Sequence, residues 1–75
     1  MTHSQILRAR GWEPDGKGWW KKRGWELPVE DAYALESLLD RVGGTVPLNH
    51  PGLRDYLMQQ IQKEKHKRPF VARPV

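Results

Sequence analysis

The chain contains no cysteine. A disulfide framework is therefore excluded, and so is a zinc site built on thiolates. Apolar runs are short, and none approaches the roughly 20 residues a membrane span requires. Residues 1–10 lack the apolar centre of a secretory leader. These absences predict a cytoplasmic protein from a reducing compartment, with no membrane partner. The three histidines, His3, His50 and His66, have no spacing suited to a metal, and no two lie four apart on one helix. His50 reads as a cap or loop residue. No cofactor, no metal and no small-molecule substrate are expected.

With 75 residues there is room for one domain. A domain of this size buries only about 60% of the surface its unfolded chain exposes, so a few large side chains must build the core. What the chain has instead of disulfides is tryptophan. All four indoles fall within residues 12–25, interleaved with glycine and lysine. Each large aromatic buries about 150–250 Å², so these rings either form the core or present an aromatic, basic face to a partner. At least two of them are expected to be core. A chain this small does not easily hide all four.

The chain order predicts an α+β fold. Residues 4–10 suit one or two helical turns, with Ser4 as N-cap and Gly11 as the stop. Trp12-Glu13 leads into Pro14-Asp15-Gly16-Lys17-Gly18, and residues 19–23 lead out, which is the strongest turn signal present. The string Arg10-Gly11-Trp12-Glu13 recurs as Arg23-Gly24-Trp25-Glu26, either by chance or as the mark of a symmetric hairpin. Pro28 opens a helix that Gly43-Gly44 closes, with Glu30 and Asp31 in its first turn and Val29, Ala32, Leu35, Leu38, Leu39 and Val42 as its apolar positions. Asn49 or His50 caps a second helix, with Pro51 in its first turn and Leu53, Tyr56, Leu57 and Ile61 as its stripe. The whole is a short N-terminal helix and a Trp-rich β-hairpin packed on two C-terminal helices. Residues 1–68 form the domain, and 69–75 form an extended tail that Phe70 and Val71 are able to pin.

The stretch Thr45-Val46-Pro47-Leu48-Asn49-His50-Pro51-Gly52-Leu53-Arg54 resembles the end of small toxin ribonucleases of the HicA type, in which an early Gly-Trp precedes a hairpin and a late Val-Pro precedes a helix. Gly11-Trp12 and Val46-Pro47 carry the likeness. The resemblance implies a catalytic histidine on the second hairpin strand. This chain has Gly18-Trp19-Trp20-Lys21 there, and a helix over 28–42 interrupts the family's third strand, so no general base is carried over. No other catalytic set is visible. Ser37 has no histidine or acid placed by motif, and Glu30, Asp31 and Glu36 read as carboxylates that solubilise a helix. The glycines near Lys17 lack the context of a phosphate loop.

Neighbours on a strand face opposite ways, so Trp19, Lys21 and Arg23 share one side and Trp20, Lys22 and Gly24 the other. A wet Trp beside cations stacks on an unpaired base while the cations meet phosphates. It also anchors a protein interface, where Trp, Tyr and Arg are enriched. The net charge of +4 and the basic run Lys63, Lys65, Lys67 and Arg68 lean toward nucleic acid, DNA or RNA. The expected function is a non-enzymatic nucleic-acid-binding module, with Trp19, Trp20, Lys17, Lys21, Lys22, Arg23, Lys63, Lys65, Lys67 and Arg68 as its surface. Glu13, Asp15, Glu26, Glu30 and Asp31 favour the alternative, a regulator or inhibitor of a host protein, of the kind phages and mobile elements encode. An exposed Trp inside a positive groove argues for the first. An exposed Trp in a flat, mixed-charge patch argues for the second.

Overall fold

The computed structural model describes residues 2–67. In chain order these form α1 (His3–Ala9), β1 (Glu13–Pro14), β2 (Trp19–Lys22), β3 (Trp25–Pro28), α2 (Val29–Arg41) and α3 (Pro51–Lys67). The fold is α+β, a Trp-rich antiparallel sheet packed on helices, as the sequence predicts. The expected tail, 69–75, lies outside the described residues.

Local chemistry sets most element ends. Thr2, not Ser4, caps α1: its side chain accepts from the Gln5 N–H at 3.2 Å, while the Gln5 amide oxygen accepts from the Thr2 N–H at 2.9 Å. The helix closes in a Schellman motif. Gly11, at φ 94°, donates to Arg8, and Trp12 donates to the Leu7 carbonyl at 3.0 Å. α2 ends the same way, with Gly43 donating to Asp40 and Gly44 to Leu39. α3 begins at Pro51, with the His50 carbonyl accepting from Arg54.

The hairpin is extended by a third strand, β3, beyond the two that the sequence predicts. The sheet order is β1-β2-β3, all antiparallel. Residues 15–18 join β1 to β2, with the Asp15 N–H donating to the Trp19 carbonyl at 2.9 Å. A two-residue turn, Arg23-Gly24, joins β2 to β3. Its φ values of 49° and 84° are both positive, as a type I′ turn requires. Arginine is an unusual first residue for that turn, which is why the signal was not read from the sequence. Pro28 ends β3 and occupies the N-cap position of α2, one residue ahead of the helix it was expected to begin.

Leu7, Trp12, Trp20, Trp25, Leu27, Ala32, Leu35, Val46, Leu57 and Ile61 fill one continuous core between sheet and helices. Two stripe residues depart from expectation. Val42, at the C-cap of α2, and Tyr56, on α3, are both exposed. Three carboxylates take the opposite course. Asp31, Glu36 and Glu64 are buried, each with a cationic partner from another part of the chain.

Candidate binding interface

Alternation along β2 and β3 separates two faces. Trp20 is paired with Leu27 and Lys22 with Trp25, and these point at the helices. Trp19 is paired with Pro28 and Lys21 with Glu26, and these point away. Glu13 is the partner of Lys21 on its other side. The outer face therefore carries Trp19, Pro28, Glu13, Lys21 and Glu26, with Asp15 at its end.

The four indoles divide three to one. Trp12 and Trp25 are each 1% exposed and Trp20 is 6% exposed, whereas Trp19 is 43% exposed. Trp20, expected at the binding surface, is thus a core residue. Its ring is covered from outside by the Arg8 guanidinium, 5.6 Å from the ring centre.

The expected cations do not form one surface. Lys17 and Lys21 are exposed, and so is Arg23, but Arg23 sits in the turn and leaves the strand alternation. Lys22 turns inward, donating to the Arg10 carbonyl at 2.6 Å and lying 3.6 Å from Glu36. Lys65 is held by Asp31 at 2.7 Å, on the helical side of the molecule. Lys63 is exposed on α3. Lys22 and Lys65, both expected to face a partner, are instead each engaged by a buried carboxylate. Arg68 and the Lys67 side chain lie outside the described residues.

What surrounds Trp19 is mostly acidic. Asp15 Oδ1 accepts from the Lys17 N–H at 2.8 Å and from the Trp19 N–H at 3.3 Å. The Lys17 N–H holds the Asp15 carboxyl below the usual aspartate range, helped by the Glu26 side chain, the Trp19 N–H and the Lys17 charge. Asp15 and Glu26 thus meet beside Trp19. Lys21 stands in register between Glu13 and Glu26, an opposite-charge ladder across all three strands.

The edges of the sheet offer little. β1 is two residues long and contains Pro14, and β3 ends in Pro28. Proline has no N–H to donate, so both edges resist pairing with another strand. The turn end of β3 is already covered. Asn49 donates its N–H to the Arg23 carbonyl at 2.9 Å and its side-chain amide to the Gly24 carbonyl at 2.9 Å.

A cavity of about 840 Å³, not foreseen from the sequence, lies between α1, α2 and α3. His3 stacks flat on Tyr33 there, with ring centres 3.8 Å apart, and Ser37, Lys65 and His66 also line it. Ser37 bonds to no histidine or carboxylate among the described residues. Among those residues no cluster of His, Asp and Glu is placed to hold a metal ion, and no helix is long and apolar enough to cross a membrane. No family model, curated protein or solved structure matches the chain.

Proposed function

We propose that this chain is a small, non-enzymatic binding module that grips a protein partner with the outer face of its sheet, centred on Trp19. One observation carries the reading: the single indole left at the surface stands among Glu13, Asp15 and Glu26, with Lys21 between two of them. Phosphates brought to this face would meet carboxylates at close range. A protein surface with its own mixed charges would not be repelled, and Trp is among the residues most often found at interface hot spots. Such a module works by occupying its partner's surface, as a regulator or inhibitor does.

The nucleic-acid reading retains one specific support. Lys17, Lys21 and Arg23 are exposed and form no ion pair among the described residues. They are, however, spread along the hairpin and interleaved with carboxylates.

The test compares the native chain with Trp19→Ala. After nuclease treatment, the native chain should retain a specific protein that the variant loses. In parallel, single-stranded DNA and RNA titrated at low salt should show no binding that depends on Trp19. Steeply salt-dependent nucleic-acid binding that Trp19→Ala abolishes would reverse the assignment.

A further inference from the structure

Resting on the protein-binding reading above, we propose that the partner presents an extended basic segment, which lies across the outer sheet face with an arginine or lysine side chain on the Trp19 indole. Among the described residues no element packs on this face, because Trp20, Leu27 and Trp25 turn the opposite face of the sheet toward the helices. Its charge runs against that of the molecule. The chain as a whole carries +4, yet Glu13, Asp15 and Glu26 share this face with Lys21 as the one strand cation. Lys21 stands in register between the two glutamates. Asp15 accepts from the Trp19 N–H and Glu26 stands on the same face opposite Lys21, so both carboxylates lie in the surroundings of Trp19. With Glu13 these carboxylates outnumber the two lysines near them, Lys17 and Lys21, which leaves room for a further cation.

The indole supplies the other half of the recognition. An aromatic face attracts guanidinium and ammonium groups, and a guanidinium stacks flat on it. The chain already uses this chemistry once, where Arg8 covers Trp20. Pro28, the cross-strand partner of Trp19, extends the apolar strip on which the aliphatic part of an Arg or Lys stem can rest. Pro14 and Pro28 disfavour strand addition at the edges, so the segment lies on the face and does not extend the sheet. A second copy docking face to face would bring the same carboxylates together, which disfavours that occupant.

Calorimetric titration with short peptides tests this directly. Arginine-rich and lysine-rich peptides should bind the native chain despite its positive net charge, and a glutamate-rich peptide of equal length should not. Trp19→Ala should weaken the basic peptides at least ten-fold. The double variant Asp15→Asn/Glu26→Gln should weaken them at least five-fold and flatten the salt dependence. Lys63→Glu, on α3, should leave affinity unchanged. The proposal is overturned if the basic peptides do not bind, or bind Trp19→Ala or the double variant as tightly as the native chain. It is equally overturned if sedimentation shows a dimer that Trp19→Ala dissolves. The two readings separate cleanly. If the captured protein needs Trp19 but not Asp15 and Glu26, protein binding stands and the basic segment falls. If capture ignores Trp19, both fall.

Discussion

The Trp12 indole N–H donates to the Glu36 carboxylate at 2.6 Å, inside the core. The same carboxylate accepts from the Arg10 guanidinium at 3.1 Å and lies 3.6 Å from the Lys22 ammonium. One buried acid on α2 thereby ties down the exit of α1, the approach to β1, and β2. It also draws Lys22 inward, away from the outer face of the sheet. Buried charge of this kind is tolerated only where every group is hydrogen-bonded.

Glu36→Ala should therefore destabilise the fold by about 2 to 3 kcal/mol, mostly through the stranded indole N–H, since water screens the half-exposed Arg10. Glu36→Gln keeps an acceptor and should cost less. Trp12→Phe removes the donor instead. Combined with Glu36→Ala it should cost less than the sum of the two single changes, a coupling measurable by urea denaturation of the four-member cycle.

Trp19 and Trp25 should behave oppositely on truncation. Trp19→Ala removes a solvent-facing ring and should change stability by no more than about 0.5 kcal/mol. Trp25→Ala opens a cavity in the core and frees the Pro47 carbonyl, which its indole N–H meets at 2.8 Å, so a loss of about 3 to 5 kcal/mol is expected. Comparable losses for the two variants would contradict the face assignment on which the binding proposal depends.

The Arg23-Gly24 turn offers substitutions of opposite sign. A methyl group at Gly24 would have to adopt φ 84° and would sit 3.1 Å from the Asn49 Cβ, so Gly24→Ala should cost about 1 to 2 kcal/mol. Arg23→Asn places a residue that tolerates positive φ at the first turn position and should gain about 0.5 kcal/mol. Thermal melts of both variants decide the matter.

The acid limb of stability should carry the mark of Asp40. Its carboxyl is held below the usual aspartate range, chiefly by the hydrogen bond from Arg10 and also by the Arg10 charge. That partner is pushed still further above its ordinary range by Asp40 and then Glu36. For a carboxyl whose folded pKa lies below its unfolded one, the added stability is complete at neutral pH and is lost as pH falls below about 4. Asp15 contributes with the same sign, chiefly through the Lys17 N–H. Asp40→Asn should flatten the fall in melting temperature between about pH 5 and pH 2, and leave the curve above pH 5 unchanged in slope. Because Asp40 is exposed, high salt should shrink the difference.

The repeated Arg-Gly-Trp-Glu string turns out to be structural. Gly11 and Gly24 both take positive φ, Trp12 and Trp25 are both sealed in the core, and Glu13 and Glu26 both face Lys21 from opposite sides. The two copies lead into the two outer strands of the sheet. The symmetry stops at the hydrogen bonds: one indole meets a carboxylate and the other a loop carbonyl.

Other features were partly legible. Glu36 follows Ala32 by one helical turn, and Glu64 follows Leu57 and Ile61 on the buried side of α3, so both carboxylates interrupt apolar stripes. That interruption is the signal by which they could have been read as buried. The cavity beside Tyr33 had no such signal, because His3, Tyr33 and His66 come from three separate helices.

Local sequence was enough for whatever depends on a few adjacent residues. The glycine helix stops, the turn around Asp15, the proline-led start of α3 and the opposite orientation of Trp19 and Trp20 all follow from φ preferences and the two-residue period of a strand. Tertiary packing decided which of those two rings was left in water, because that choice rests on where Leu27, Trp25 and α2 lie. It decided equally which lysines remain available, since Glu36 and Asp31 reach Lys22 and Lys65 only across distant parts of the chain. A residue's type and its neighbours in sequence carry no record of such partners, and the partner on the other side of the core determines whether a charge is spent or offered.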